Sequence, residues 1–338
     1  MSLTIKEIAK LANVSRGTVD RVIHGRESVS PETRKRVEQI LKEYNYQSNI
    51  HAQSLASLKN QFKIGVITNS IDNEFFDLVL EGLKYQNDFF RNTELIIKEL
   101  KGYDVENQLK EINNLKNQDL NALIITPIDH IDIANALNEL KIPIVTVNND
   151  IDIEKLAFVG CDYHNSGMLA GDLANISLKN GGKVAIVVGS FNVRGHKERI
   201  KGFRKSYYKG GEILTFENQD DDEISYKITK EIILKDNVDL IYFGAAGIAG
   251  GLKALKELNK NIPVITVDET VAVRNSLKTG DVLATITQQP YKQGSRAIRI
   301  VHDYLIYNRR PNEVEELTNN KVILKNSNYV IEKNDNNK

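Results

Sequence analysis

From Lys63 onward, short apolar runs alternate with longer amphipathic stretches. "FKIGVIT", "ELIIKEL", "ALIITPI", "IPIVTVN", "LAFVGCD", "KVAIVVGS", "DLIYFGA", "IPVITVD" and "VLATITQ" are near-continuous apolar runs of strand length, the pattern of strands buried on both faces. Between them, helical periodicity predicts helices over 74–90, 104–116, 131–140, 164–179, 194–208, 223–235, 247–258, 269–279 and 291–307. Strands alternating with helices imply parallel sheets covered on both sides. The run is long enough for two such sheets, hence an α/β body of two Rossmann-like subdomains.

The first 60 residues follow a different rhythm. Thr4 and Glu7 stand at capping-box spacing, and Ile5, Ile8, Ala9 and Leu11 then form one apolar face. Asn13 tolerates the left-handed turn that must follow. Ser15 opens a second helix with Val19, Val22 and Ile23 inward, ended by Gly25. Ser30 and Pro31 open a third, with Val37, Ile40, Leu41 and Tyr44 as its core face. Two short helices joined by a tight turn make a helix-turn-helix, and this head is all-α. The second helix turns Arg16, Gly17, Thr18, Asp20 and Arg21 outward or to its tip. A glycine there costs about 1 kcal/mol relative to alanine, so the turn is expected to approach a partner closely. Arg reads guanine O6 and N7 in the major groove, and Thr offers a hydroxyl or a methyl. Asn45 to Gln61 is polar, with isolated Leu55 and Leu58, and reads as a linker that becomes helical when docked.

Charge sharpens this division. The chain of 338 residues is neutral overall, with 45 basic and 45 acidic side chains. Residues 1–60 nevertheless carry ten Lys/Arg and six Asp/Glu, a basic head on an acidic body. That asymmetry suits a segment that meets a polyanion. One cysteine rules out a disulfide within the chain and fits a reducing compartment. "MSLTIKEIAK" lacks the apolar run of a secretory signal, and no stretch approaches the roughly 20 apolar residues of a membrane span. The expected location is cytoplasmic, with no membrane partner.

In open α/β sheets, ligands bind beyond the carboxyl ends of the strands. There the sequence places Asn69, Asp72, Asn73, Phe75 and Phe76, then Thr126 and Asp129, then Asn148, Asn149 and Asp150. Arg194 and Arg199, Asp268 and Gln288 follow later strands. Amides, carboxylates, an arginine and aromatic faces are the groups that hold a sugar. Arg199 and Asp268 are expected to grip it from opposite sides, with Phe75 or Phe76 under the ring. No phosphate loop, GxGxxG turn or nucleophile elbow occurs, and six scattered histidines with one cysteine give no zinc spacing. No catalytic residue, cofactor or metal is assigned, and an enzyme is not expected.

"TIKEIAKLANVSRGTVDRVIHG", "VSPETRKRVEQILKEYNY" and "SNIHAQSL" together resemble the lactose-repressor (LacI/GalR) family of bacterial transcription regulators. The body, through "DNEFF", "TPID", "GDLA", "ERIKGF", "VDET" and "ATITQQPYKQG", resembles type I periplasmic binding proteins of the ribose-binding kind. The resemblance implies a DNA-binding domain over 1–47, a hinge helix over 48–61, and an effector-binding and dimerisation domain over 62–338, its two subdomains joined by chain crossovers. It implies DNA contacts at Thr4, Ser15, Arg16, Gly17, Thr18, Arg21 and Asn49, and a leucine wedge in the minor groove that falls on Leu55. It implies effector contacts at Asn73, Phe75, Phe76, Asn148, Asn149, Arg199, Asp268 and Gln288. Partners would be a palindromic double-stranded DNA operator, a carbohydrate effector and a second copy of the chain. The implied function is a sequence-specific repressor controlled by that effector; the alternative is a sugar-binding solute receptor with no gene-regulatory role. Asn13, Asp20 and Ser48 stand where the family usually has glycine, serine and proline, which leaves the operator sequence open. Asn148-Asn149 replaces an Asp-Arg pair, and "GAAGIAGG" replaces a segment that brings an Asn or Asp. Both changes argue against ribose and leave room for a larger molecule.

Overall fold

The computed structural model describes residues 5–23, 29–44, 61–90 and 92–327. The chain divides into two compact units, Met1–Ser57 and Leu58–Lys338.

The first unit contains α1 (Ile5–Leu11), α2 (Arg16–Ile23) and α3 (Pro31–Glu43). Ile8, Ala9, Ala12, Val19, Val22 and Val37 form its core. Two expected core positions move. Leu11 is 50% exposed and Ala12 is fully buried, because Ala12 continues the Ile8 row one helical turn on. Tyr44 stands at the C-cap of α3, past the last turn that packs, and is also exposed. Asn13 takes φ 49° in the turn. Ser15 Oγ accepts the Thr18 N–H at 3.1 Å, and Ser30 Oγ accepts the Thr33 N–H at 3.4 Å, so both predicted caps form. Thr4, Gly25, Asn49, Leu55, the hinge segment up to residue 60 and the side chain of Asp20 lie outside the described residues.

The body holds two six-stranded sheets. The first takes β1 (Phe62–Thr68), β2 (Thr93–Glu99), β3 (Ala122–Ile125), β4 (Ile144–Val147), β5 (Ala157–Cys161) and β11 (Glu315–Thr318), in the order β11-β5-β4-β3-β1-β2. Around it lie α4 (Glu74–Asn87), α5 (Val105–Lys116), α6 (Ile131–Glu139) and α12 (Pro290–Tyr307). This is lobe I. Lobe II takes β6 (Val184–Val188), β7 (Ile213–Glu217), β8 (Leu240–Phe243), β9 (Val264–Val267), β10 (Ala284–Thr287) and β12 (Lys321–Leu324), in the order β12-β10-β9-β8-β6-β7. Its helices are α7 (Tyr163–Ser177), α8 (Arg194–Ser206), α9 (Asp222–Glu231), α10 (Ile248–Glu257) and α11 (Val271–Thr279), with a π-helical turn at Ile232–Asp236. Every named strand pair is parallel except β10 with β12.

Each central strand feeds two cores. In β6, Val184, Ile186 and Val188 enter one cluster, and Ala185 and Val187 the other. In β3, Ala122 and Ile124 face one way, Leu123 and Ile125 the other. That is why these runs read as uniformly apolar. Strands β7, β11 and β12 were not expected. All three lie at sheet edges, and their residues are half-buried or exposed apart from Thr318.

Three crossovers join the lobes: β5 to α7, β10 to α12, and β11 to β12. They are knotted together by hydrogen bonds. Thr318 Oγ1 lies 3.0 Å from the Gly160 carbonyl and 2.7 Å from the Gln288 carbonyl. Asn319 N–H donates to Gln289 Oε1 at 2.9 Å, and Asn320 Nδ2 to the Asp162 carbonyl at 2.7 Å. Within lobe II, α7 and α8 cross backbone to backbone. A Cβ on Gly167 would lie 2.0 Å from the Arg199 carbonyl, and one on Gly202 would lie 2.0 Å from the His164 carbonyl. This contact fixes α8, and with it Arg199.

Candidate functional site

Between the carboxyl ends of the two sheets lies a cleft of about 670 Å³. All eight residues expected to contact an effector line it: Asn73, Phe75, Phe76, Asn148, Asn149, Arg199, Asp268 and Gln288. Thr126 and Asp72 line it as well, whereas Asp129, Asp150 and Arg194 are not part of its lining.

Lobe I supplies the aromatic and amide wall. Asn73 caps α4, its Oδ1 accepting the Phe75 N–H at 3.2 Å. Phe75 and Phe76 follow edge to face, ring centres 5.2 Å apart, both buried. Asn148 has φ 63°, and its carbonyl accepts the Tyr163 hydroxyl. Asn149 Nδ2 donates to the Pro127 carbonyl at 2.6 Å, leaving its buried Oδ1 without a partner among the described residues.

Lobe II supplies the charged wall. Arg199 is 4% exposed. Its Nη1 donates to the Gly244 carbonyl at 2.8 Å, and its guanidinium lies 4.9 Å from the centre of the Tyr163 ring. Nε and Nη2 are buried with no partner among the described residues. Asp268 has φ 62°, and its Oδ1 accepts Gln288 Nε2 at 2.6 Å. Gln288 Oε1 in turn accepts the Cys161 thiol at 3.2 Å, which runs a polar chain from the cleft to two of the crossovers. Burial pushes the Asp268 carboxyl up to about 6, against the opposing pull of Arg199 and the Gln288 hydrogen bond. Burial also pushes the Cys161 thiol up to about 12, so it stays protonated and serves as a donor. Arg199 and Asp268, expected to hold a ligand from opposite sides, both stand on lobe II. The strands that deliver them, β6 and β9, belong to one sheet.

Sequence reasoning missed Tyr103 and Asp220. Tyr103 follows β2, and its hydroxyl donates across the cleft to Asp220 Oδ2. Asp220 follows β7, has φ 56°, and accepts the Ala246 N–H at 3.0 Å through Oδ1. His196 packs edge-on to Tyr103 with ring centres 6.4 Å apart, and burial lowers its pKa against the pull of Asp220. Two further links join the lobes: Glu74 Oε2 accepts the Val271 N–H at 2.8 Å, and Arg194 lies 3.8 Å from Asp150.

In the first unit, α2 buries Val19 and Val22 and exposes Ser15, Arg16, Gly17 and Arg21. Thr18 is half-buried, its hydroxyl 2.9 Å from Ser15 Oγ. A Cβ on Gly17 would meet only Ser15 Oγ, at an ordinary 3.7 Å. Nothing described within the unit demands glycine there. No described helix is long and apolar enough to cross a membrane, and no metal-binding cluster occurs among the described residues.

Comparison with known proteins places these two parts separately. Residues 4–49 match the model of bacterial regulatory proteins of the lacI family, and residues 64–309 match the periplasmic binding protein domain. The chain is 27% identical over 334 residues to catabolite control protein A of Streptococcus mutans, covering 94% of this chain and 96% of that one. It is 28% identical over 312 residues to the ribose operon repressor of Lactococcus lactis, covering 88% and 90%. The body superposes on the crystal structure of GanP, a glucose-galactose binding protein from Geobacillus stearothermophilus, with TM-score 0.72 at 22% identity, covering 79% of this chain and 98% of that one.

Proposed function

This chain belongs to the lacI family of bacterial regulatory proteins and carries a periplasmic-binding-protein body, and from that premise we propose how its two parts work together. The protein is a DNA-binding transcriptional regulator. The head binds an operator through α2, with Arg16 reading a base edge, Arg21 on phosphate and Gly17 admitting the DNA backbone. The body binds a carbohydrate effector through Asn73, Phe75, Phe76, Asn148, Asn149, Arg199, Asp268 and Gln288. It acts in the cytoplasm as a homodimer on a palindromic operator, since a two-fold protein matches two related half-sites, and it represses.

One observation carries the effector reading. The cleft contains buried polar groups that have no hydrogen-bond partner among the described residues: Arg199 Nε and Nη2, Asn149 Oδ1 and Thr126 Oγ1. Unpaired burial costs about 1–3 kcal/mol per group. Hydroxyls, each both donor and acceptor, satisfy such a mixed set, and the Phe75–Phe76 pair offers an apolar face for the C–H side of a ring. Closure of the lobes on the effector then changes how two heads are presented to DNA. A swing from 1:99 to 99:1 between two arrangements requires about 5.5 kcal/mol of differential binding.

The test is a gel shift of the full chain on the DNA upstream of its own gene, with and without a panel of sugars, alongside thermal unfolding with the same panel. A sugar that raises the melting temperature and alters the DNA complex is the expected result. Binding of sugar without any specific DNA complex would leave a solute receptor, and turnover of the sugar would make it an enzyme.

A further inference from the structure

We infer that the effector is an uncharged carbohydrate of two linked rings, the second ring seated on Tyr103 at the end of the cleft away from the crossovers. This rests on the carbohydrate reading above and specifies its ligand class.

The strand order sets the length of the site. On lobe II the lining runs from Gln288 after β10 through Asp268, the segment after β8 and His196 to Asp220 after β7. Those are five neighbouring strand ends, a span of about 19 Å at roughly 4.8 Å per strand. On lobe I it runs from Asn149 after β4 to Tyr103 after β2. A pyranose ring, only a few bonds of about 1.5 Å across, covers two of these strand ends. The groups expected to contact a sugar concentrate at the crossover end and centre, on β4, β1, β6, β9 and β10. The end formed by β2 and β7 is left over, yet it lines the same cavity.

That end is built to hold something. The middle of the lobe II wall is Ala245, Ala246 and Gly247, with no side chain longer than a methyl. Gly247 is at φ 80°, and a Cβ there would lie 2.6 Å from Asn218 Nδ2, so the wall is recessed by construction. Beyond the recess, Tyr103 is fixed by its hydroxyl on Asp220 and by the edge of His196. An aromatic ring locked in place is a platform for the C–H face of a second sugar. Asp220 uses each oxygen once, and a carboxylate has about four acceptor positions, so it can still accept from sugar hydroxyls.

Charge selects against an anion. Asp72, Asp220, Asp221, Asp222 and Glu223 line this end against Lys101, which is itself 2.7 Å from Asp72. A phosphate or uronate placed here would meet like charge.

The experiment is calorimetry on the full-length protein with maltose, cellobiose, lactose, melibiose, sucrose and trehalose, and with glucose, galactose and fructose, using wild type, Tyr103→Ala and Tyr103→Phe. The expected result is one disaccharide that binds at least tenfold tighter than either of its component monosaccharides. Tyr103→Ala should weaken that disaccharide about tenfold and change the monosaccharide by less than twofold. Tyr103→Phe, which keeps the platform, should retain most of the affinity. A monosaccharide that binds tighter than every disaccharide containing it, with no effect of Tyr103→Ala, overturns the two-ring inference and leaves the carbohydrate reading standing. No binding of any sugar in either set overturns both.

Discussion

The carboxylate of Glu74 accepts the backbone N–H of Val271 at 2.8 Å, joining the first turn of α4 on lobe I to the first residue of α11 on lobe II. An anion at a helix N-terminus is favourable on two counts, a free N–H and the helix dipole. The bond links the two lobes and requires them to be together. Glu74→Ala should weaken effector binding about fivefold, near 1 kcal/mol for one solvent-accessible hydrogen bond. Calorimetry checks this, with small-angle scattering expected to show a larger radius for the variant. Identical affinity and radius would mean that the bond does not contribute to closure.

Effector binding should depend on pH through Asp268. Its carboxyl in the folded protein is pushed up to about 6, so it is mostly protonated at pH 5 and ionised at pH 7. Only the ionised form accepts hydroxyls with both oxygens. Affinity should therefore rise between pH 5 and 7 and level off above. Asp268→Asn should bind more weakly at pH 7 and show no rise. Stability has the opposite slope: a carboxyl held above its unfolded value favours the fold at low pH, and that contribution is lost as pH climbs through about 6. A flat affinity profile for wild type would take Asp268 out of the binding set.

Gly17→Ala separates folding from DNA contact. Nothing described in the head would strike the added methyl, so it should stabilise α2 by about 1 kcal/mol. Operator affinity should nevertheless fall, because the methyl would lie on the helix tip that is proposed to meet DNA. Chemical unfolding of the head and a gel shift on the same variant provide the two readings. Equal operator affinity would place the helix tip away from DNA.

Gly202→Ala should act at a distance. Its Cβ would lie 2.0 Å from the His164 carbonyl, a backbone atom that cannot swing aside, so α7 and α8 must move apart. Overpacking of this kind costs about 1–3 kcal/mol. Because Arg199 rides on α8, effector affinity should fall along with the melting temperature, while operator binding by the head persists. Gly210 lies at φ 80° with no atom within 4 Å of the position its Cβ would take, so Gly210→Ala brings backbone strain without a helix clash and should lower the melting temperature while leaving effector affinity unchanged. Equal effects at both glycines would remove the special role of the helix crossing.

Much of this was legible because the strands that carry the cleft are central. Central strands are apolar on both faces, so β1, β3, β4, β6, β8, β9 and β10 stand out, and the residues after them are found by counting forward. β7 is half-buried along its length. Its "ILTFE" gave no continuous run, and Asp220 just beyond it went unseen. β2 was expected, but Tyr103 lies four residues past its end, on the approach to α5. The placement of Arg199 and Asp268 on one lobe depends on sheet order, which periodicity does not encode. In the head, Leu11 and Ala12 both fit a helical stripe. Hydrophobicity favours the leucine, but the row that starts at Ile8 buries the alanine.

The three crossovers carry a consequence for the order in which the molecule is made. Lobe I begins at β1, yet α12 and β11, which complete it, leave the ribosome only after β6, β8, β9 and β10 of lobe II. Ala297, Ile298, Ile300 and Val301 of α12 fill the same core as Ile64 and Val66 of β1. Until they arrive, that core lies open while lobe II is already assembling its central strands. A nascent or prematurely terminated chain that stops short of α12 therefore carries α1, α2 and α3 together with an unfinished cleft, and a truncated product of this kind would present the residues proposed to contact DNA with no means of being regulated.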